Sequence, residues 1–473
     1  MPVWAEDAMP WLPRLSLATR PLYRAIADAI AEDIANGRLV PNQQLPTQRQ
    51  LAEHLGINFT TVTRAYNEAR ERGLIEARVG SGSYVRGESR PVRPSEPLPP
   101  PEVRRGADMS MNLPPEPADT ALAAQMQAGL AALQPRLPEL LRYQEFGGSL
   151  RDREAGASWL SRHWPEVPVA RLQVCPGAQS ALLSILTLLK ATEPNAVVCC
   201  AALTYPGLRA VAGQLGIRLI GLPVDEAGID PQAFAAACAR YSPRALYCNP
   251  TLHNPTTYTM PPARRAAIAE VARQYQVSII EDDAYAALPR QPVAPLASYA
   301  PELTYYIAGL AKCLGAGLRL AYVVAPGQAE TRRLAGALRA TTVMASPLNA
   351  ALATEWIENG VGARWLEAIR NETRARYALV GEWLPQGSFR GQPDAFHIWI
   401  PLASHWSRAA FAHRLGSFDI SVVPSDAFTV SGQAPEAVRV CLGGTISRQS
   451  LAVALGDIAQ TLQSRPDQHV GVI

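Results

Sequence analysis

Lysine is nearly absent from this chain. Among 473 residues, Lys and Arg together number 44, and only Lys190 and Lys312 are lysine, which leaves 42 arginines. Arginine replaces lysine as a charge but not as an amine nucleophile, because its guanidinium is not deprotonated in proteins. A retained lysine is therefore a candidate for amine chemistry, although two leftover lysines also have to fall somewhere.

Three further absences limit the class of protein. The seven cysteines are scattered and odd in number, which favours reduced thiols in a cytoplasm over a disulfide framework. The seven histidines form no His-Glu-x-x-His pair, so we predict no metal site. Acidic residues and proline stand near the start, where a signal peptide needs a basic and then an apolar run, and no apolar stretch approaches a membrane span. We therefore expect a cytoplasmic protein that contacts no membrane.

Neither charge nor composition points to a partner. The net charge is +3, so the chain as a whole creates no field that would attract nucleic acid or a membrane. A hydrophobic fraction of 48% and a charged fraction of 18% are those of an ordinary globular protein, and the length predicts two to four domains. Binding partners have to be inferred from local patterns.

Proline divides the chain. Eight of the 29 residues from 87 to 115 are proline, with Arg and Glu between them and hardly any apolar run. Such a segment cannot bury enough surface to fold, so we predict a linker over 87–115. It separates a small domain, residues 1–86, from a large domain, residues 116–473.

The small domain has the pattern of a winged helix-turn-helix. Apolar residues at a spacing of four predict a helix over 22–35. A capping box at Thr47 opens a second helix, and Asn58 caps a third over 60–72. Residues 74–85 are typical of a hairpin with a glycine-rich tip. In this layout the last helix enters the major groove of DNA.

Polar residues at the start of the third helix suit phosphate and base-edge contacts. They are Asn58, Thr60, Thr61 and Arg64. The alternative is a three-helix domain used only for protein contact. The local charge weakly supports that alternative, because residues 1–86 hold ten Arg against nine acidic residues.

The whole small domain resembles the GntR-type DNA reader. The likeness is carried by Pro21-Leu22-Tyr23, Leu45-Pro46-Thr47-Gln48-Arg49-Gln50-Leu51-Ala52, Thr61-Val62-Thr63-Arg64-Ala65-Tyr66 and Gly80-Ser81-Gly82-Ser83-Tyr84-Val85. It implies double-stranded operator DNA as a partner, with contacts at Arg49, Asn58, Thr60, Thr61 and the wing residue Gly80. Phe59 departs from the family, which often has a base-reading arginine there, and an aromatic ring could pack on a thymine methyl group.

The large domain alternates strand-like apolar runs with helical stretches, which predicts an α/β fold with a mainly parallel sheet. The strand-like runs are 197–201, 217–222, 245–248, 277–280 and 305–308. Polar residues follow three of them: Asn254 after the third, Asp282 and Tyr285 after the fourth, and Lys312 after the fifth. Ligands of such folds gather at the carboxyl ends of the strands.

An acid, an amide, a phenol and one lysine at strand ends are what pyridoxal phosphate requires. The lysine holds the cofactor as an imine, the carboxylate keeps the ring nitrogen protonated, and the amide and phenol hydrogen-bond the ring's phenolic oxygen. Each signal alone is weak, since acidic strand ends are often magnesium or helix-cap sites and Asn-Pro is usually a turn. Jointly, at intervals of 28 residues from Asn254 to Asp282 and 30 from Asp282 to Lys312, with Arg319 just beyond, they favour the cofactor.

From about residue 116 onwards the chain resembles the class I aminotransferases of fold type I. The clearest motifs are Cys175-Pro176-Gly177-Ala178-Gln179-Ser180-Ala181-Leu182, Thr204-Tyr205-Pro206-Gly207 and Val438-Arg439-Val440. The likeness implies that Ala178, Gln179 and Arg319 contact the phosphate, and that Tyr143 reaches the phosphate in the partner subunit. It implies that Tyr205 stacks on the ring, that Asn254, Asp282 and Tyr285 contact the ring, and that Lys312 forms the Schiff base. It also implies that Arg439 binds a substrate carboxylate. From the residues alone, Tyr205 could instead be a turn residue and Arg439 a strand arginine paired with an acid.

Three positions depart from the aminotransferase pattern. Gly309 and Ala311 stand where the family has serines that hold the phosphate, and Thr257 replaces the glycine that normally ends Asn-Pro-Thr-Gly. We expect cofactor binding to survive these losses and turnover to be less efficient.

Joined in one chain, the two halves resemble the MocR subfamily of bacterial transcription regulators. The resemblance implies that an amino compound, with a carboxylate or similar anion, exchanges with Lys312 to form an external aldimine and so alters DNA binding. It also implies a head-to-tail homodimer. The alternative is a catalytically active class I aminotransferase with an accessory N-terminal domain.

Overall fold

The chain forms two compact units, whose boundary falls after Glu102. The computed structural model describes residues 11–15, 21–40, 43–78, 82–85 and 107–465. Most of the predicted linker therefore lies outside the described residues.

Three helices and a hairpin form the first unit. They are α1 (Leu22–Ala35), α2 (Gln48–Leu55), α3 (Phe59–Glu71), β1 (Ile75–Arg78) and β2 (Gly82–Val85). The two strands pair in antiparallel register. The predicted winged helix-turn-helix is confirmed, although the tip of the wing, with Gly80, lies outside the described residues.

Local signals in the sequence determine the helix ends of this unit. Thr47 and Gln50 form a reciprocal capping box at the start of α2. Gly56 ends that helix at φ 63°, a left-handed conformation that favours glycine. Asn58 caps α3 by accepting a hydrogen bond from the Thr60 amide at 2.9 Å.

A buried carboxylate fastens the segment before α1 to the helix. The Trp11 indole donates to Asp33 Oδ2 at 2.8 Å, and Arg38 donates to Oδ1 at 3.0 Å. Trp11 and Asp33 are both buried. Because both carboxylate oxygens are bonded, Asp33 satisfies a buried donor that would otherwise have no acceptor.

The second unit is an α/β structure. Its helices are α4 (Thr120–Ala132), α5 (Leu137–Leu140), α6 (Leu150–Leu160), α7 (Ala178–Thr192), α8 (Pro206–Leu215), α9 (Pro231–Tyr241), α10 (Pro262–Tyr275), α11 (Leu296–Tyr299), α12 (Gln328–Thr342), α13 (Pro347–Glu358), α14 (Val361–Trp383), α15 (Arg408–Gly416) and α16 (Arg448–Gln463). Its strands are β3 (Ala107–Asp108), β4 (Leu172–Cys175), β5 (Val197–Ala201), β6 (Arg218–Leu222), β7 (Val224–Asp225), β8 (Gly228–Ile229), β9 (Ala245–Cys248), β10 (Ser278–Asp282), β11 (Thr304–Gly309), β12 (Ala321–Val324), β13 (His397–Pro401), β14 (Ile420–Ser421), β15 (Val423–Pro424) and β16 (Ala437–Cys441).

A seven-stranded sheet in the order β4-β12-β11-β10-β9-β5-β6 is the centre of this unit. The five strands predicted from apolar runs, β5, β6, β9, β10 and β11, pair in parallel. β12 runs antiparallel to both its neighbours. The mainly parallel sheet is confirmed, and it brings the carboxyl ends of β9, β10 and β11 to one edge.

A second, three-stranded sheet in the order β13-β16-β15 lies in the C-terminal part of the unit. Helices α14, α15 and α16 contribute to the hydrophobic cluster that includes Ile398, Val438 and Val440. The side chains of β16 alternate between this cluster and the opposite side. Arg439 lies on that opposite side.

Residues 107–115 belong to the large unit, so the predicted linker is too long at its end. Strand β3 pairs with β14, Met109 is fully buried, and Pro115 pairs with Gly444. Ala107 and Met109 supply apolar contacts to a core cluster. The proline content of the whole stretch concealed this short alternation of buried and exposed residues.

Two absences concern the described residues. None of their helices has the length and apolar character needed to cross a membrane. No group of three or more His, Cys, Asp or Glu in the described ranges could hold a metal ion. The seven cysteines are all free and buried.

Replacing the buried acid of the first unit should destabilise it. Asp33→Ala leaves the Trp11 N–H buried without an acceptor and Arg38 without its partner, so we expect a loss of roughly 1–3 kcal/mol. Asp28→Ala is the matched control, because Asp28 lies on the same helix and pairs with Arg72 but is 62% exposed. We expect little change for this surface pair. Calorimetric unfolding of the full chain measures both, and equal effects would contradict the role of burial.

Candidate functional site

A cavity of about 380 Å³ lies at the carboxyl ends of the central strands. Its wall brings together nine of the residues predicted from sequence: Ala178, Gln179, Tyr205, Asn254, Asp282, Tyr285, Lys312, Arg319 and Arg439. Residues from two elements that sequence did not connect with the site, Ser110–Leu113 and Tyr247, complete it.

Lys312 stands in a short 3-10 turn directly after β11. All six residues of β11 are buried, and the strand carries the amine into the interior. Burial lowers the pKa of Lys312 to about 8, with Arg439 and Arg319 acting in the same direction and Asp282 opposing them. The amine donates a hydrogen bond to the Asn112 carbonyl. A lysine with this pKa is partly neutral near pH 7 and can act as a nucleophile.

Asp282 is the last residue of β10 and is buried. The Tyr247 hydroxyl donates to its Oδ2 at 2.8 Å. Burial raises the pKa of Asp282 to about 6, although the Tyr247 bond and Lys312 favour the charged form. The carboxylate can therefore accept a further donor, such as a protonated ring nitrogen, through Oδ1.

Two asparagines after β9 connect Asp282 with Arg439. Asn249 donates to the Asp282 carbonyl at 2.6 Å and accepts the Asn254 amide at 2.9 Å. Asn254 Oδ1 in turn accepts Arg439 Nη1 at 2.8 Å. The amide that was predicted to meet the cofactor ring thus also orients the guanidinium.

Arg439 is buried on β16, and its guanidinium lies 5.0 Å from the centre of the Phe428 ring. Its hydrogen bonds go to Asn254 Oδ1 and, from Nη2 at 2.6 Å, to the Ser110 carbonyl. Both acceptors are neutral. The alternative of a strand arginine paired with an acid is not what the described contacts show, and a buried guanidinium with neutral partners favours an anionic ligand.

The start of α7 forms one end of the cavity. Gly177 precedes it at φ 93°, and a Cβ there would stand 3.4 Å from Arg319 Nη2. Gln179 donates to the Gly207 carbonyl at 3.0 Å. Backbone N–H groups at a helix start and a nearby guanidinium form a site for a phosphate group. Gly309 and Ala311 line the same cavity without hydroxyls.

The three predicted tyrosines have different positions. Tyr205 precedes α8 and lines the cavity, and the buried Tyr285 accepts a hydrogen bond from Asn112 Nδ2 at 2.8 Å. Tyr143 is 80% exposed and lies outside the cavity wall of its own chain.

Buried polar atoms without partners support the fit of the cofactor. Among the described residues, atoms of four cavity-lining side chains make no hydrogen bond: Asn112 Oδ1, Gln179 Oε1, Asp282 Oδ1 and Arg439 Nε. Buried polar atoms are usually paired, so such a cluster is typical of a ligand site. An acid for the ring nitrogen, a helix start for the phosphate and an amine for the aldehyde together fit pyridoxal phosphate.

Of the predicted DNA contacts, Asn58, Thr60, Thr61 and Arg64 lie at the cap or in the first two turns of α3, Arg49 lies in α2, and Gly80 lies outside the described residues. Arg49, Asn58, Thr60 and Arg64 are exposed and Thr61 is half-buried. Phe59 is 47% exposed, as a base-contacting residue requires. Arg64 lies 5.1 Å from the Tyr23 ring, which positions the guanidinium. The Asn58 side chain is engaged as the helix cap, with Thr60 donating to it through N–H and O–H.

Family models and full-length relatives match both units. Residues 22–85 match the bacterial regulatory proteins of the gntR family, and residues 107–458 match the aminotransferases of class I and II. The HTH-type transcriptional regulator YdeF of Bacillus subtilis (strain 168) is 30% identical over 433 residues, which cover 91% of this chain and 92% of YdeF. The chain belongs to the MocR subfamily of GntR-type regulators.

Two further similarities extend the comparison for this MocR protein. The vitamin B6 salvage pathway transcriptional repressor PtsJ of Salmonella typhimurium (strain LT2) is 27% identical over 92% of this chain and 97% of PtsJ. The crystal structure of the α-aminoadipate aminotransferase LysN from Thermus thermophilus matches with a TM-score of 0.68 and 21% identity, over 76% of this chain and 92% of LysN. The latter likeness shows the fold of the large unit.

The depressed pKa of Lys312 predicts how imine formation depends on pH. Only the neutral amine attacks an aldehyde, so the rate at which cofactor-free protein develops imine absorbance should rise about tenfold per pH unit below pH 7 and level off above about pH 8. Stopped-flow absorbance with added pyridoxal phosphate measures this rate. Lys312→Arg should give no imine at any pH, and a rate that rises as far as pH 10 would contradict the shifted pKa.

Restoring the two missing hydroxyls should tighten cofactor binding. Gly309 has φ −79° and an added Cβ would meet only the Ala178 Cβ at 3.5 Å, so serine fits there. We expect Gly309→Ser and Ala311→Ser each to lower the Kd for pyridoxal phosphate about fivefold, from ~1 kcal/mol per hydrogen bond gained. Gly315→Ser is the control, because open space surrounds it. Equal affinities for all variants in absorbance titrations would show that the phosphate does not approach these positions.

Proposed function

We propose that this protein is a pyridoxal phosphate-dependent transcription regulator of the cytoplasm. It binds operator DNA through its first unit and senses a small amino compound that takes the place of Lys312 at the cofactor's aldehyde carbon. One observation carries the proposal: nine residues expected to contact the cofactor or its ligand line one cavity, in a chain that also matches the gntR family.

Different cavity residues bind different parts of the cofactor. When bound, pyridoxal phosphate supplies an aldehyde that condenses with amines and a ring that withdraws electrons. Lys312 provides the resting amine, and Asp282 holds a proton at the ring nitrogen. Tyr285 can donate its O–H to the ring's phenolic oxygen, because its own oxygen already accepts Asn112. Ala178, Gln179 and Arg319 hold the phosphate end.

Arg439 selects the ligand. It is a buried cation whose described acceptors are both neutral, so a carboxylate would be its strongest partner. Asn254 fixes the orientation of the guanidinium. In a compound that carries both an amine and a carboxylate, the amine can replace Lys312 at the cofactor and the carboxylate can bind Arg439.

Regulation is favoured over turnover. The two hydroxyls that would strengthen the phosphate site are replaced by Gly309 and Ala311, which suits exchange of ligands between two states more than sustained catalysis. The names of full-length relatives describe transcriptional regulators. Rapid conversion of an amino acid with a 2-oxo acid, at ordinary enzyme rates of ~10 per second, would instead support an aminotransferase.

The proposal includes a head-to-tail homodimer. Tyr143 supports it, since this side chain is exposed and outside the cavity of its own chain. The aminotransferase resemblance assigns it to the phosphate in the partner subunit.

Substitutions in the reader should weaken DNA binding without altering the cofactor. We expect Arg49→Ala and Thr61→Ala to cost roughly 1–3 kcal/mol if they contact bases and less if they contact phosphates only. The measurement is fluorescence anisotropy with a duplex that the wild-type protein selects from a random-sequence pool, at fixed salt. Arg70→Ala is the matched control, because it removes an arginine near the far end of α3. Unchanged binding by both variants would place DNA on another surface.

Substitution of Arg439 should remove the response to carboxylates. The wild type should change its absorbance with amino acids at concentrations where the corresponding decarboxylated amines have little effect. Arg439→Ala should retain the resting imine band and lose this discrimination, because its neutral side chain cannot distinguish the two ligands. Arg448→Ala, at an exposed arginine paired with Glu372, is the control. Retained discrimination in Arg439→Ala would assign the carboxylate to another residue.

A further inference from the structure

The segment Ser110–Asn112 lines the cavity. In sequence it follows the residues that connect the first unit to the second. Residues 86–106 precede it in sequence and lie outside the described residues. Along the chain from the DNA-binding unit, these are the first residues that line the cavity. Sequence patterns gave it no role.

Two carbonyl groups of this segment bind the two cations that the proposed ligand needs. The Ser110 carbonyl accepts Arg439 Nη2 at 2.6 Å, and the Asn112 carbonyl accepts Lys312 Nζ. Arg439 and Lys312 come from different elements, β16 and the turn after β11. Both donors are hydrogen-bonded to the same short segment. A ligand that engages either donor therefore weakens a hydrogen bond to that segment.

The Asn112 side chain fastens the segment from a third direction. Its Nδ2 donates to the Tyr285 hydroxyl at 2.8 Å and lies 3.3 Å from His397 Nδ1. His397 Nε2 contacts the His253 carbonyl at 3.2 Å, so Nε2 carries the proton and Nδ1 is the acceptor. Burial lowers the pKa of His397 to about 3, which keeps this ring neutral.

Outside these contacts the segment is held at its two ends. The Met109 amide donates to the Ser421 carbonyl and the Met109 carbonyl accepts the Cys441 amide, both at 2.9 Å. On the other side Gly444 donates to the Pro114 carbonyl at 3.1 Å. The middle, where Met111 is 60% exposed, is held by Arg439, Lys312 and the Asn112 side chain, together with a Cys441 thiol contact to the Ser110 carbonyl at 3.6 Å and the bond of the Ser110 amide to Asp108 at 3.0 Å.

Condensation of Lys312 with an aldehyde removes one of these contacts. The amine nitrogen forms a double bond to the aldehyde carbon, and its two hydrogens leave with the aldehyde oxygen as water. The nitrogen would then carry at most one proton, where the free amine has two or three. Such a nitrogen no longer donates to the Asn112 carbonyl.

A ligand carboxylate competes for the other contact. Arg439 Nη1 is held by Asn254, and Nε has no partner among the described residues. A carboxylate that binds two N–H groups side by side would use Nε and Nη2, and Nη2 is the group that Ser110 accepts.

We infer that Ser110–Asn112 is a release segment: occupation of the cavity frees it, first at Lys312 by the cofactor and then at Arg439 by a carboxylate ligand. The inference rests on the proposed function, because it takes Lys312 and Arg439 as the groups that cofactor and ligand occupy. The segment therefore converts binding at the cavity into greater freedom of residues 110–112. A ligand without a carboxylate completes only the first step.

Amide hydrogen exchange of the full chain tests the first step with pyridoxal phosphate alone. Exchange in a peptide spanning residues 107–115 is compared between cofactor-free and cofactor-loaded protein, with the imine absorbance recorded on the same samples. We expect about tenfold faster exchange of the Leu113 amide on loading, because its acceptor at 2.9 Å is the Met111 carbonyl in the middle of the segment; this factor corresponds to ~1.4 kcal/mol. Lys312→Arg is the matched control, because it keeps a donor for Asn112 but cannot condense, and its exchange should stay slow.

Asn112→Ala provides a second arm. This variant loses the bonds to Tyr285 and His397, so its segment should exchange fast before the cofactor is added and change little afterwards. Slower or unchanged exchange in the wild type, with the imine band present, would overturn the release segment. Absence of the imine band would instead overturn the proposed function. Slow exchange in Asn112→Ala would show that other contacts hold the segment and would also overturn the inference.

Discussion

The burial of one amine is the constraint on which the large unit's chemistry depends. Lys312 follows a strand that is buried along its whole length, and loss of solvation lowers its pKa to about 8. Neighbouring groups add smaller effects to that of burial: Asp282 favours the protonated form, while Arg439 and Arg319 oppose it. Because these are the groups proposed to meet the cofactor and the ligand, the proposal couples the charge of the amine to the occupancy of the cavity. Backbone carbonyls suit such a site, since they accept a hydrogen bond from either form of the amine.

The alternation of side chains along a strand sorts consecutive acids into different roles. Asp282 faces the cavity from the end of β10, and Glu281, one residue earlier, faces the opposite side of the sheet. There the Glu281 carboxylate accepts the Leu296 amide at 2.8 Å and the Ala297 amide at 2.9 Å, and it lies 3.5 Å from the fully buried Arg265. An acid that fixes the start of α11 thus stands directly beside the acid that faces the cavity. The run of acids alone would not separate a structural carboxylate from a binding one.

Sequence predicted what is encoded locally and missed what distant contacts create. The capping box at Thr47, the turn at Gly56 and the apolar runs of the parallel strands are signals within a few residues, and the structure has each of them. Asn254, Asp282 and Lys312 could be predicted to share a site because parallel strands end at one edge of a sheet. Asn112 could not, since its partners Tyr285 and His397 are 173 and 285 residues away. Tyr247 was hidden for another reason, because it lies within an apolar run that is typical of a buried strand.

The seven buried thiols give this chain an unusual response to cysteine-directed reagents. Burial raises the pKa of the Cys313 thiol to about 12, and it raises the pKa of Cys441 beside the cavity as well. Thiol reagents require an accessible thiolate, so the folded native protein should react slowly at neutral pH. One cysteine introduced at an exposed position, such as Leu141 at 75% exposure, would then be modified first. A single fluorophore or spin label could be attached to the large unit with every native cysteine left in place.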